Sequence, residues 1–300
     1  MRKIGIVDFD TSHVVQFTKR LNHIDIDEDQ WVDGGTVVMG YPGESRVSPE
    51  RVPGYTEELR EMGVQIVDSP SEMIGAVDAV FIESNEGGVH LGHAKPFLEA
   101  GLPLFIDKPY AATTAQARAI ADLASQHGVP IFSASSLRYT ETVMEVQASL
   151  ADEGGAVGAF VHSPGSEHYA NPGLLNYGIH GVEVLYSLMG PGCQEVWAAR
   201  TDGADHVTGR WDGGRLGTVR AIRSGSAGYG LTVYSEKQTV TTSIDASNNY
   251  RNLLREIMKM LESGTPPLAI EETIEIISFI EAAYRSSQNG GAATRLETAS

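Results

Sequence analysis

The feature that most constrains the fold is an alternation. From residue 3 to residue 135, short apolar runs take turns with stretches whose apolar residues recur at helical spacing. The runs are KIGIVD (3–8), TVVMG (36–40), QIVD (65–68), DAVFIES (78–84), PLFIDKP (103–109) and VPIFSAS (129–135). Their apolar cores are short and continuous, which is the pattern of strands buried on both faces. The intervening stretches read as helices. After the first run, Val14, Val15, Phe17, Thr18 and Leu21 fall on one face, with Thr11 or Ser12 placed to cap. The helices predicted over 89–101 and 113–128 each stop at a glycine. Strand–helix alternation of this kind predicts an α/β fold: a doubly wound parallel sheet of Rossmann type.

After residue 136 the rhythm changes. A helix over 141–155 is followed by the strand-like runs AVGAFVHS, EVWAAR, HVTGRWDG, LGTVRAI, LTVYS and QTVTTSID, with glycine-rich turns among them. These predict an open, mostly antiparallel sheet. LLNYGIHGVEVLYSLMG (174–190) reads as a helix between the first two runs, and two amphipathic helices close the chain. The expected organisation is a Rossmann domain over 1–136 and an α+β domain over 137–300, whose last helices are able to pack back on the first.

The formal charge of −17, from 39 acids and 22 bases, argues against nucleic acid or an anionic membrane as partner. The basic start MRKIGIVDFD is broken by Asp8 too early for a signal peptide, and no apolar run is long enough to span a bilayer. The single cysteine, Cys193, allows no internal disulfide. A cytoplasmic protein acting on a small molecule is expected.

In open α/β sheets, ligands bind beyond the carboxyl ends of the strands. Here those ends carry Asp8 and Asp10, then Glu83, Ser84 and Asn85, then Asp107 and Lys108. The first turn is unusual. A turn that cradles phosphate is normally glycine-rich, so that the phosphate can approach the backbone and the N–H groups of the next helix. Two carboxylates there can occupy those N–H groups themselves. They also repel a phosphate, by roughly 3 kcal/mol at 5 Å and an effective dielectric near 20. That is about a hundredfold in affinity. The repulsion disappears if the carboxylates turn away or a cation lies between.

Two segments carry a family resemblance. FLEAGLPLFIDKPYAATTAQARAIADLASQHGVPI resembles the EKP segment of the Gfo/Idh/MocA oxidoreductases, with Asp107 in place of the glutamate. LLNYGIHGVEVLYSLMG resembles the family's second signature, with Asn176 in place of an aspartate and His180 at the catalytic histidine. The resemblance extends over almost the whole chain. It implies an NAD or NADP cofactor and hydride transfer to or from a sugar, polyol or related alcohol. Lys108 and His180 would be the catalytic pair. The cofactor would be lined by Asp8, Asp10, Thr11, Ser12, His13, Ser84, Asn85, His90, Asp107 and Lys108, and the substrate by Arg138, Tyr139, Asn176 and Tyr177. A homodimer or homotetramer would follow from the family. The departures are Asp8, Asp10 and His13 at the three glycine positions, Asn176, and an ambiguous cofactor selector after the second strand, where Glu44 suits a free ribose and Arg46 a 2′-phosphate. The DTSH sequence resembles a divergent subgroup.

Two other functions compete. Asp8, Asp10, His13 and Glu83, with His90 or His93, are ligand types that suit a divalent metal, for a non-redox lyase, epimerase or hydrolase acting on a sugar derivative; the leading expectation assigns no metal. A non-catalytic relative that binds a sugar or a protein is the third, since fold alone does not imply activity.

Overall fold

The structure is a computed structural model and describes residues 1–297. The chain separates into two compact units. Among the described residues, the first comprises 1–111, 115–134 and 250–270, and the second 112–114, 135–249 and 271–297.

The first unit holds β1 (Arg2–Val7), α1 (His13–Asn22), β2 (Gly35–Tyr41), α2 (Val52–Glu61), β3 (Gln65–Ile66), β4 (Ala79–Ile82), α3 (His90–Glu99), β5 (Leu104–Ile106), most of α4 (Thr114–His127) and β6 (Ile131–Phe132). The strands form one parallel sheet in the order β3-β2-β1-β4-β5-β6. That is the Rossmann order, with the switch point between β1 and β4. All four residues of β4 and all three of β5 are buried, as continuous apolar runs require. The strands stop earlier than their apolar runs suggest. β4 ends at Ile82 and β5 at Ile106, so Glu83 and Asp107 lie one residue beyond the ladder. The second helix begins at Val52, with Pro53 in its first turn, where no N–H partner is needed.

The second unit holds α5 (Glu141–Ala151), β7 (Gly158–Pro164), α6 (Ile179–Met189), β8 (Cys193–Arg200), β9 (Ala204–Trp211), β10 (Leu216–Ile222), β11 (Gly230–Tyr234), β12 (Thr239–Ser243), α8 (Ile270–Gln288) and β13 (Thr294–Arg295); α7 (Asn249–Ser263), between β12 and α8, falls almost wholly in the first unit. The sheet order is β12-β11-β7-β10-β9-β8-β13. Every pair is antiparallel except β7 with β10, which is parallel. α6 lies close on this sheet: a Cβ at Gly181 would come within 2.7 Å of Ser163 Oγ and 2.8 Å of Val219 Cγ2. The helix starts at Ile179 rather than 174, because the preceding turn over Gly173–Leu175 passes through a positive φ of 64° at Gly173. Tyr186, Trp211 and Phe279 meet as an aromatic cluster in the core. No described helix is long and apolar enough to cross a membrane.

Candidate active site

The turn after β1 keeps the backbone of a glycine turn although it has none. Asp8 adopts a φ of 66°, in the left-handed region. The loop after β2 folds over it: Asp8 N donates to Tyr41 O and Phe9 N to Pro42 O, both at 2.9 Å. The carboxylates are drawn into this loop and the end of β4. Asp8 Oδ2 accepts from Ser84 Oγ and lies 3.0 Å from His93 Nδ1. Gly43 faces Asp8 Oδ1, where any Cβ would sit 1.8 Å away. Asp10 accepts from Ser45 Oγ at 2.6 Å and from Asn85 N at 2.9 Å, while its carbonyl accepts from Asn85 Nδ2 at 2.7 Å. Asp10 therefore latches two loops rather than capping α1. Ser12 stands at the N-cap position without a side-chain cap bond, and the first turn of α1 contains no acid. Thr11 is buried, with its Oγ1 at 3.5 Å from His13 N.

Burial raises the Asp10 carboxyl, with Ser45 and Asn85 pulling it partly back. For His93, burial acts downward, but the hydrogen bond to Asp8 and its charge outweigh it and favour the imidazolium. The turn thus carries its own counter-charge. A glycine-like backbone path, a first helical turn without an acid of its own and an imidazole beside Asp8 together fit a dinucleotide pyrophosphate.

His13 does not line this turn with Asp8 and Asp10. Its ring enters the sheet ends, stacks on Phe17 and meets Tyr250 edge-on. Its Nδ1 lies 3.0 Å from Asp107 Oδ2 and 3.5 Å from Glu83 Oε2. The metal-binding crevice expected from Asp8, Asp10, His13 and Glu83 is therefore corrected. Asp8 and Asp10 are taken by Ser84, His93, Ser45 and Asn85, and the buried trio is His13, Glu83 and Asp107. Burial pushes Glu83 up to about 7. Burial opposes ionisation of Asp107 too, but the charges of His13 and Lys108 prevail and hold it at about 2.

Lys108 follows directly, only 6% exposed, with Nζ 3.9 Å from Asp107 Oδ2. His90 is fully buried and bridges two backbone carbonyls, Tyr110 O at 3.1 Å and Ser84 O at 2.9 Å. It staples α3 to the ends of β4 and β5, and its ring nitrogens face backbone. Arg46, an expected phosphate selector, forks onto Glu86, with Nε donating to Oε2 at 2.8 Å and Nη2 donating to Oε1. A cleft of about 780 Å³ lined by Arg2, Trp31, Asp78 and Met258 lies at the opposite, amino end of the strands, away from the ligand end of such a sheet.

In the second unit, His180 is buried at the start of α6. Its Nδ1 is 2.6 Å from Ser135 Oγ, and Tyr177 packs edge-on at 4.9 Å. Tyr177 is exposed, Tyr139 half-buried, and Asn176 donates to Ser166 O at 3.2 Å. Arg138 is buried and engaged by two acids: Nε donates to Glu183 Oε2 at 2.5 Å and Nη2 to Glu272 Oε1. Sequence reasoning did not find Ser135, Ser45, Glu86, Glu183 or Glu272 as partners, because each pairing joins residues far apart in the chain.

Residues 50–135 match the Gfo/Idh/MocA family model, described as an oxidoreductase family with an NAD-binding Rossmann fold. A relative, D-xylose 1-dehydrogenase (NADP(+)) 2 of Haloferax volcanii, is 22% identical over 262 residues, covering 72% of this chain and 80% of its own. The fold is similar to GenD2 from gentamicin A biosynthesis in complex with NAD (TM-score 0.81, 17% identity, 99% of this chain and 97% of that one). It is also similar to scyllo-inositol dehydrogenase from Lactobacillus casei with bound NAD(H) and scyllo-inositol (TM-score 0.80, 14% identity, 98% and 99%). A Rossmann sheet followed by a mixed-sheet unit is the fold these structures share with this chain. The match to the Gfo/Idh/MocA model covers the second half of the Rossmann unit, and the likeness to the solved structures extends the shared fold over nearly the whole chain.

Proposed function

We propose that the protein is an NAD(P)-dependent dehydrogenase that oxidises or forms a hydroxyl on a sugar, polyol or related alcohol. The observation that carries this is Lys108: a nine-tenths-buried lysine one residue past Asp107 at the carboxyl end of β5, in a sheet of Rossmann order. The dinucleotide, when bound, supplies or accepts the hydride. The chain's residues handle the oxygen. Lys108 stabilises the developing alkoxide with its ammonium group. His180, its ring fixed by Ser135, takes or returns the hydroxyl proton. Thr11, Ser12, Ser84 and Asn85 stand at the turn that would hold the pyrophosphate. Tyr139, Asn176 and Tyr177 are assigned to the substrate.

Residues 137–300 act in this assignment as a substrate and dimerisation domain, in a cytoplasmic homodimer or homotetramer. The test is a screen of aldoses and polyols with NAD and NADP, followed by Lys108→Ala and His180→Ala. Each substitution lowers turnover by about two orders of magnitude while dinucleotide binding persists. Wild-type turnover in both variants would remove the pair from the mechanism.

A further inference from the structure

The trio beneath Lys108 has a property that hydride transfer does not use. Glu83 and Asp107 are completely buried and His13 is 5% exposed. Their ligand atoms all lie within 4.8 Å of one another. Both carboxylate oxygens of Glu83, both of Asp107 and Nδ1 of His13 have no hydrogen-bond partner. His13 Nδ1 is the one imidazole nitrogen near both acids, 3.0 Å from Asp107 Oδ2 and 3.5 Å from Glu83 Oε2. Lys108 Nζ, at 3.9 Å, is beyond hydrogen-bond reach of Asp107. Two buried carboxylates that share a single imidazole are costly.

The chain builds this arrangement from three separate places. His13 opens α1, Glu83 follows β4 and Asp107 follows β5. Because β1, β4 and β5 are neighbours in the sheet, their ends bring one imidazole and two carboxylates to a common point.

We propose that His13 Nδ1, Glu83 and Asp107 form a binding site for one divalent transition-metal cation. One imidazole with two carboxylates suits Zn²⁺, Mn²⁺ or Fe²⁺ better than Ca²⁺ or Mg²⁺, which favour all-oxygen sets. A doubly charged ion neutralises both acids and gives their oxygens a common ligand-bonding partner. It also ties the start of α1 to the ends of β4 and β5, directly under Lys108. The role inferred is a cross-link of the sheet ends, with no part assigned in hydride transfer.

The test uses the full-length protein, free of any histidine tag, stripped with chelator and dialysed. It is titrated calorimetrically with Zn²⁺ and with Mn²⁺, and its melting temperature is followed in parallel. One equivalent bound, with a rise in melting temperature, is expected. Glu83→Gln and Asp107→Asn should each weaken binding by at least about tenfold. Should either variant fail to fold, the wild-type titration still decides. Absence of stoichiometric binding and of any melting shift with both ions would overturn the site and leave the trio holding a shared proton. Binding unchanged in both variants would overturn it as well, locating the ion elsewhere. Neither result bears on dinucleotide binding, which is measured separately.

Discussion

His93 Nδ1 lies 3.0 Å from Asp8 Oδ2, so the first carboxylate of the cofactor turn has an imidazole as its counter-ion. Asp8 raises the His93 pKa above its ordinary 6.5 against the opposing effect of burial. A group whose folded pKa is raised contributes stability that is complete below its unfolded value and is lost as pH rises through the folded one. Native stability and dinucleotide affinity should therefore both fall as pH rises above about 6.5 through the titration of His93. His93→Gln should bind NADH about tenfold or more weakly at pH 6, because Asp8 then faces the pyrophosphate without a cation. Calorimetric titration across pH checks both statements. A pH-independent affinity unchanged in the variant would show that Asp8 is screened some other way.

Glu86 holds Arg46 by a two-bonded fork. With its charge matched, Arg46 is a poor site for a 2′-phosphate, and NADH should bind more tightly than NADPH. Glu86→Gln should move the ratio of the two dissociation constants toward NADPH by about tenfold. Parallel titrations of wild type and variant with both cofactors measure it. A ratio that does not move would place the selector outside this loop.

Arg138 pairs with Glu183 and Glu272, 45 and 134 residues further on. Removing one partner of a buried ion set leaves the rest uncompensated, at a cost of about 3–5 kcal/mol. Arg138→Ala should lower the melting temperature sharply, and Glu183→Gln should also destabilise. A variant that melts like wild type but shows a raised KM would return Arg138 to the substrate.

Ser135→Ala removes the hydroxyl 2.6 Å from His180 Nδ1. If Ser135 orients the ring, kcat should fall about tenfold, the pH–rate profile should shift, and KM should change little. Ser135→Thr, which keeps a hydroxyl, should recover part of the rate. A change in KM alone would mean that Ser135 serves binding.

The fold was legible because its cues are local. Runs such as DAVFIES and LGTVRAI carry their own burial pattern, and glycines after α3 and α4 mark where helices stop. Pairing between strands distant in sequence leaves no such mark, so the parallel β7–β10 contact and the two-residue β13 were not legible. The site divides in the same way. Lys108 and His180 stand in recognisable segments, whereas the partners of Asp8 and Asp10 are set by how β4 and the loop after β2 meet over the turn. His90 shows the limit from the other side. The sequence offered His90 and His93 alike as ligand types, but one ring bonds backbone inside the fold and the other pairs with Asp8.

The most direct test of the central claim is calorimetric titration of the purified protein with NADH and NADPH near pH 6, after checking that no nucleotide copurifies. The turn described here predicts micromolar binding of NADH, without added metal. Failure of both nucleotides to bind, at any pH where the protein is folded, would contradict the assignment as a nicotinamide-dependent dehydrogenase.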